Sequence, residues 1–403
     1  MAESFKDKVA IVGMGCSKFG ELWDVGNADL IIEAAYEAYE DAGIEPKDID
    51  AAWVGSTAPG MGWQIASGST TGACISMPLK LQYLPVTRVE NACGTGTDAL
   101  RNAAFSVAAK VYDLVLVVGS EKLKDAGYGG LGEMGFPPHP VSEGAITAPG
   151  IYALAATRYF AKYGLAPEEG KRLMAMVSVK SHHNGARNPK AHLRREVTVE
   201  QVMSAPIIAW PLGLFDCCGV TDGAAAAILC RAEDAKSFRD DYVLIKGLGL
   251  SVGPGQGAVR TDYDYTVWDE TVYASREAYA QAGIKNPRKE LSQAEVHDCF
   301  SISEIIAAES LGICERGHAK EDILSGAWTQ EGEIPINLSG GLKSFGHPIG
   351  ASGCREAYEV YKQMHGEAQD SSRQLKNPCL GLVHNQGGGP GKFMCAVGIY
   401  GLP

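Results

Sequence analysis

Short apolar runs alternate with amphipathic helical patterns near the start of the chain. Residues 8–13 form an apolar run with β-branched side chains, which predicts a buried strand. Residues 28–42 carry apolar or small side chains at helical spacing, and Gly43 followed by Pro46 ends that pattern. A second apolar run covers residues 51–55. The order strand, helix, strand predicts an α/β fold with buried, mostly parallel strands.

This arrangement recurs in the second half of the chain. The segment EAYEDAGI at residues 37–44 is echoed by EAYAQAGI at residues 277–284. A strand predicted at residues 111–119 is likewise echoed at residues 379–384, and each follows a glycine-rich turn and a helix. Two echoes in the same order predict a duplicated α/β unit.

The echoes also predict the domain limits. Residues 1–120 with residues 205–235 form the N-terminal half, and residues 236–403 form the C-terminal half. The stretch between them, residues 121–204, changes in texture because residues 127–140 are rich in glycine and proline. We interpret it as a loop domain inserted into the first half.

Composition narrows the class of protein. The chain of 403 residues has a formal net charge of −12, which argues against a general binder of nucleic acid or of anionic membranes. Its 11 cysteines are odd in number and include no CxxC pair, so neither a disulfide scaffold nor a zinc knuckle is expected. No apolar run approaches the roughly 20 residues of a membrane span, and the N-terminus lacks a signal-peptide core. We expect a cytoplasmic protein with reduced thiols.

Cys93 lies in a loop, NACGTGTDAL, between a predicted strand and a predicted helix. A thiol at a helix N-terminus meets unpaired N–H groups, which favour the thiolate form of a nucleophile. A buried packing cysteine in a glycine-rich turn explains the same loop, and both interpretations stay open here. His347 lies in a rigid segment, SFGHPIGASG, at the matching place of the second half, where it could activate Cys93.

Two further loops follow predicted strands. One contains His297, Asp298 and Cys299; an N-cap turn would explain Asp298 but neither of its neighbours. The other runs from Asn385 to Gly391 and is rich in glycine, so its backbone N–H groups are suited to an oxyanion.

Together, the four loops resemble those of the thiolase superfamily along the whole chain. The resemblance implies a duplicated thiolase fold, layered α-β-α-β-α, with two mostly parallel mixed sheets and the inserted loop domain. It also implies that Cys93 becomes acylated and that His347 activates it. HDCF at residues 297–300, in place of Asn-Glu-Ala-Phe, resembles the sterol-carrier-protein-type thiolases. The acid/base role then falls on Cys299, with His297 beside it. Gly387 and Asn385 would contribute to an oxyanion hole.

The resemblance further implies cleavage of a 3-oxoacyl-CoA, or the reverse Claisen condensation, with coenzyme A as cosubstrate and no permanently bound cofactor or metal. Residues 171–195 carry no acidic side chain, so their basic residues are candidates for the CoA phosphates. A solvated helix face or a subunit contact explains this patch equally well. The candidates are Lys180, His183, Arg187, Lys190 and Arg194.

Relatives of this branch imply a homodimeric core, with a small OB-fold zinc-containing partner subunit. The acyl group stays open between short, branched and benzoylsuccinyl-type 3-oxoacyl groups. A retro-aldolase acting on a β-hydroxyacyl-CoA is an alternative, but it would not need Cys93, His347 and Cys299. A non-catalytic lipid-binding or scaffold subunit is a second alternative, which the complete polar loops disfavour.

Overall fold

The computed structural model describes residues 5–57, 71–124, 147–259, 262–368 and 370–403. The glycine- and proline-rich stretch of the inserted segment, residues 127–140, lies outside the described residues. Within these ranges the strands are β1 (Val9–Cys16), β2 (Ala51–Gly55), β3 (Val86–Val89), β4 (Leu114–Glu121), β5 (Ile207–Ala209), β6 (Leu212–Gly213), β7 (Gly223–Arg231), β8 (Val243–Val252), β9 (Gln293–Val296), β10 (Leu380–Gly387) and β11 (Met394–Gly401).

The helices of the described ranges connect these strands and cover their faces. They are α1 (Asn27–Ala42), α2 (Ala73–Ser76), α3 (Thr95–Ala108), α4 (Ala148–Lys162), α5 (Pro167–Ala186), α6 (Val199–Met203), α7 (Gln256–Val259), α8 (Asp269–Ala282), α9 (Pro287–Glu290), α10 (Ser301–Ser310), α11 (Ala319–Ser325), α12 (Gly341–Ser344) and α13 (Ser352–Met364). None of them is both long and apolar enough to cross a membrane.

The main sheet displays the predicted duplication. Its strand order is β3-β2-β4-β7-β1-β8-β11-β10-β9. In each half one strand, β7 or β11, is antiparallel to both of its neighbours. Strand β9 is extended by a parallel bridge from Ala294 to Ile336, in the place that β3 takes in the first half. The two halves therefore mirror each other strand by strand.

The layered architecture is confirmed, with one difference in the sheet. Helices α3 and α13 pack against each other and contact strands of both halves. Helix α1 covers the outer face of the first half, and α8 covers β8 and β11 in the second. The two predicted sheets are hydrogen-bonded into one nine-stranded sheet, because Ala10 and Ile11 of β1 pair with Leu244 and Val243 of β8. Neighbouring antiparallel edges of two identical units satisfy each other in this way.

Glycines in the first strand of each half explain how the outer helices pack. A Cβ added at Gly15 would lie 2.0 Å from the carbonyl oxygen of Ala34 in α1. A Cβ added at Gly249 would lie 1.9 Å from the carbonyl oxygen of Ala274 in α8. Because such contacts exclude any side chain, the Gly-x-Gly of β1 serves packing, in agreement with the absence of a full dinucleotide fingerprint.

The inserted segment packs against the second half. Helices α4 and α5 both contact α10, and the Ser178 hydroxyl of α5 lies 2.8 Å from the Ser301 hydroxyl at the start of α10. The sequence-based domain limits stay a prediction.

We predict that Gly249→Ala lowers the free energy of unfolding by about 1 to 3 kcal/mol, because the new methyl group overpacks the contact with α8. Thermal and urea unfolding measure the change. Gly26→Ala is the matched control, since a Cβ there would meet its nearest neighbour at an ordinary 3.5 Å. Equal losses in both variants would contradict the packing argument.

Candidate active site

Two glycine-rich loops, one from each half, meet at the centre of the molecule. A Cβ added at Gly96 would lie 2.8 Å from the carbonyl oxygen of Gly350, and one at Gly119 would lie 2.4 Å from the same oxygen. A Cβ at Gly353 would lie 2.4 Å from the backbone nitrogen of Thr97. Glycine is therefore required for the N-terminal ends of α3 and α13 to approach each other.

Cys93 lies just ahead of α3 in a constrained turn. Ala92 adopts a left-handed conformation with φ of 45°, which is strained for a residue with a side chain. The Thr95 hydroxyl donates to the Ala92 carbonyl at 2.6 Å and accepts from the Asn91 N–H at 2.8 Å. These bonds hold the strained turn and fix the direction of the Cys93 side chain.

His347 has a defined tautomer. Its Nδ1 atom lies 2.7 Å from the Ser352 hydroxyl, which itself donates to the Pro348 carbonyl at 3.0 Å. Because the hydroxyl has one proton, it must accept from an Nδ1–H of His347, and Nε2 carries the lone pair of a base. The loop is anchored further by the Gly350 N–H, which donates to the Glu121 carboxylate at 2.9 Å. Neither positioning residue was singled out from the sequence.

The structure brings Cys93, His297 and His347 together. Their ligand-type atoms all lie within 4.8 Å of one another, and the two imidazole rings meet edge to face at 5.2 Å. Among the described residues, neither ring nitrogen of His297 nor Nε2 of His347 has a hydrogen-bond partner. Such unpaired buried atoms need a polar ligand, which a substrate oxygen or a water can supply. A Cys-His-His set at this spacing could also bind Zn²⁺.

Burial keeps both histidines neutral. Burial, followed by the positive charge of Arg355, lowers the pKa of His347 to about 3. Burial also lowers the pKa of His297 well below its usual value, and His347 and His384 act in the same direction. Neutral imidazoles can accept a proton from a thiol and donate a hydrogen bond to an oxygen.

The expectation that the helix terminus favours a Cys93 thiolate is wrong for the free protein. Burial raises the pKa of Cys93 to about 12, and Cys218 and the Glu121 carboxyl raise it further. The backbone contribution that lowers the pKa is smaller than these effects. The pair in the resting site is therefore a thiol and a neutral imidazole.

Cys299 lies after β9, buried with 2% of its surface exposed. Its sulfur lies 3.9 Å from the Ser303 hydroxyl, and burial together with Cys93 raises its pKa well above the usual value. The neighbouring Asp298 serves structure, because its carboxylate accepts from the Leu342 N–H at 2.5 Å and from the Ser181 hydroxyl at 3.3 Å. Asp298 thus ties the HDCF loop to α12 and α5.

The fourth loop reaches the nucleophile from the opposite half. A Cβ added at Gly387 would lie 2.5 Å from the backbone nitrogen of Cys93. The Asn385 side-chain carbonyl accepts from the Thr97 hydroxyl at 2.5 Å, which connects β10 to α3. The backbone N–H of Cys93 therefore lies beside the predicted oxyanion-hole residues.

The predicted CoA-binding residues do not form one cluster. Lys180 pairs with Glu304 at 2.7 Å and donates to the Ile336 carbonyl, whereas Lys190 pairs with Glu37. His183 and Arg187 border a cavity of about 360 Å³ on the outer face of α5, together with Lys180.

Arg194 is placed differently. It is exposed, and it follows a segment that is tied to the His347 loop. In that segment, the N–H groups of His192 and Leu193 donate to the carbonyls of Phe345 and Ser344 at 3.0 and 2.9 Å. Among the predicted basic residues, Arg194 is therefore the one connected through the backbone to the loop that carries His347.

Comparison with known proteins agrees with this site. The family model "Thiolase, N-terminal domain" matches residues 9–233, and "Thiolase C-terminal domain-like" matches residues 256–397. The chain belongs to the thiolase family. This thiolase is 39% identical to an acetyl-CoA acetyltransferase of Methanothermobacter thermautotrophicus, over 94% of the chain and 96% of that protein. The predicted acyltransferase class is confirmed.

Two further comparisons describe the branch and the fold. The thiolase is 31% identical to the benzoylsuccinyl-CoA thiolase subunit BbsB of Thauera aromatica, over 95% of each chain. Among solved structures it resembles the Ltp2-ChsH2(DUF35) aldolase, with a TM-score of 0.82, 24% identity and 99% of both chains covered. At that identity the structural likeness shows the fold alone.

We predict that the alkylation rate of Cys93 by iodoacetamide rises about tenfold per pH unit up to pH 9, because the thiol pKa is about 12. Peptide mass spectrometry follows the Cys93-containing peptide, and Cys93→Ser provides its control. A plateau near neutral pH would instead show a thiolate–imidazolium pair and contradict the thiol form.

We also predict that Ser352→Ala slows acylation of Cys93 on the order of tenfold to a hundredfold, because His347 loses the partner that fixes its tautomer. Rapid-quench acylation kinetics measure the effect. Ser106→Ala is the matched control, since its hydroxyl makes a similar backbone bond, to Ala103, at the far end of α3. Equal rates in both serine variants would contradict the tautomer argument.

Proposed function

We propose that this thiolase cleaves a 3-oxoacyl-CoA with coenzyme A, or runs the reverse Claisen condensation, through an acyl group on Cys93. The observation that carries the proposal is the meeting of the Cys93 thiol with the unpaired nitrogens of His297 and His347 within 4.8 Å. A nucleophile, a neutral base and oxygen-binding groups are what acyl transfer needs.

In the first step, His347 Nε2 takes the Cys93 proton as the sulfur attacks the 3-keto carbon. The bond between carbons 2 and 3 then breaks, and its electron pair becomes the enolate of the shorter acyl-CoA. Cys299 supplies the proton to carbon 2, while His297 and His347 bind the enolate oxygen directly or through a water. The products of this step are the shorter acyl-CoA and the acylated Cys93.

In the second step, the thiol of free CoA gives its proton to the Cys299 thiolate and attacks the acyl group. Cys93 leaves and recovers its proton from His347, which restores both side chains. The oxygen of each tetrahedral intermediate would accept from the N–H groups of Cys93 and Gly387, with Asn385 supporting that loop. The close approach of Gly387 to the Cys93 nitrogen supports this role.

We propose that the CoA phosphates are bound from the segment that contains Lys180, His183, Arg187, Lys190 and Arg194. Arg194 has the strongest support, because it is exposed and is connected to the His347 loop through the adjacent backbone bonds. The ion pairs of Lys180 and Lys190 support a role in fixing this segment instead.

We propose acetoacetyl-CoA as the first substrate to test, since acetyl-CoA acetyltransferases are more similar to this chain than the benzoylsuccinyl-CoA thiolase subunit is. Branched or aromatic 3-oxoacyl-CoAs from β-oxidation-like pathways follow. We further propose a cytoplasmic homodimer with a small OB-fold, zinc-containing partner. The pairing with a DUF35 protein in the name of the structurally similar aldolase supports that partner.

The test is intact-protein mass after mixing the chain with 3-oxoacyl-CoAs in the absence of free CoA. We expect an acyl adduct that CoA discharges and whose mass identifies the acyl group. Cys93→Ser should show none, and Cys379→Ser, which changes an exposed cysteine, should keep it. Cleavage of a β-hydroxyacyl-CoA with no adduct would favour the retro-aldolase. No reaction, even with the partner subunit, would favour a non-catalytic role.

A further inference from the structure

We propose that Tyr152 is a positioning residue for Cys299, with its hydroxyl donating a hydrogen bond to the Cys299 sulfur. The hydroxyl lies within hydrogen-bonding reach of both the Cys299 thiol and the Gln386 side chain. Tyr152 belongs to α4, so the inserted segment reaches the catalytic centre through this residue. This inference rests on the acid/base role proposed for Cys299.

Aromatic packing fixes the tyrosine ring. Tyr152 is 3% exposed, and its ring lies 4.5 Å from that of Phe300, which directly follows Cys299. The rings of Phe393 and Trp268 lie 6.1 and 6.2 Å away. With three aromatic neighbours around the ring, the hydroxyl has little freedom to leave its place beside the sulfur.

The direction of the hydrogen bond follows from Gln386. The carbonyl oxygen of its side chain accepts from the Thr271 hydroxyl at 3.3 Å, so the amide nitrogen is at the other end of the group. An amide N–H can only donate, and the tyrosine oxygen can accept it. The single phenolic proton is then available to the Cys299 sulfur. Gln386 lies between the two predicted oxyanion-hole residues, so the contact also joins Cys299 to that loop.

Cys299 needs such a donor, because its surroundings oppose a thiolate. The titratable groups that act on it are Cys93 from the loop before α3, Cys218 from the segment before β7, Asp298 from its own loop and Tyr152 from α4. Burial, Cys93 and Asp298 raise its pKa, whereas the hydrogen bonds from Tyr152 and Ser303 lower it. A hydrogen bond to a charged sulfur is stronger than one to a thiol, so the donor favours proton release.

In the proposed reaction Cys299 alternates between thiol and thiolate each time a proton moves at carbon 2. Tyr152 would stabilise the thiolate half of that cycle and keep the sulfur directed at the carbon. Acylation of Cys93 does not require this proton transfer when the acyl donor has no C–C bond to break. The two half-reactions therefore separate a defect at Cys299 from a general defect of the site.

The experiment measures exchange of the α-hydrogens of acetyl-CoA with deuterated solvent, across pH, beside the rate at which acetyl-CoA acylates Cys93. We expect Tyr152→Phe to slow exchange about tenfold and to move its pH profile about one unit to the alkaline side. The phenylalanine retains the aromatic packing, so Cys93 should acylate at the wild-type rate. Tyr159→Phe is the matched control, since it removes a hydroxyl on the same helix that donates to Glu309.

Exchange and a pH profile in Tyr152→Phe equal to those of the wild type would overturn the proposal while Cys93 acylation stands. Exchange that survives Cys299→Ala would overturn it as well, since Tyr152 would then have no acid/base partner to position. Absence of both acylation and exchange in the wild type would instead count against the proposed function itself.

Gln386→Met provides a second variant in case Tyr152→Phe fails to acylate because its site is disturbed. Removing the amide that directs the hydroxyl should move the exchange profile in the same alkaline direction by a smaller amount. An unchanged profile in Gln386→Met, with normal acylation of Cys93, would overturn the proposal.

Discussion

The close contact between two glycine-rich loops at the centre of the molecule is the constraint on which the active site depends. Gly96 and Gly119 of the first half approach the Gly350 carbonyl so closely that no side chain fits between them. This contact lets α3 and α13 begin side by side, and each helix start carries one catalytic residue just ahead of it. Cys93 and His347, distant in sequence, meet because their supporting loops have no side chains to separate them.

The same burial that brings these residues together determines their chemistry. A dry environment disfavours charge, so it raises the pKa of Cys93 and Cys299 and lowers the pKa of His297 and His347. The resting site therefore holds thiols and neutral imidazoles, and proton transfer accompanies attack on the substrate. Hydrogen bonds inside such a site act with little competition from water, which makes the position of each donor important.

Buried polar groups outside the catalytic set hold the loops in register. Glu121 connects the end of β4 to the Gly350 backbone, Asp298 connects the HDCF loop to α12, and Ser352 fixes the His347 ring. Each one satisfies backbone or ring N–H groups that burial would otherwise leave unpaired. Together they explain why the loops combine many glycines with a few buried polar side chains.

The sequence by itself determined the α/β class, the duplication and the loops that hold Cys93, His297, Cys299 and His347. These features are local, since periodicity, glycine and proline positions and repeated phrases are legible without knowing which segments touch. Only the tertiary structure decided how the two halves join through β1 and β8 and which basic residues are occupied by ion pairs. It also reversed the expected thiolate form of Cys93 and placed Tyr152 beside Cys299. Desolvation and partner choice depend on segments far apart in the chain, so no local pattern in the sequence encodes them.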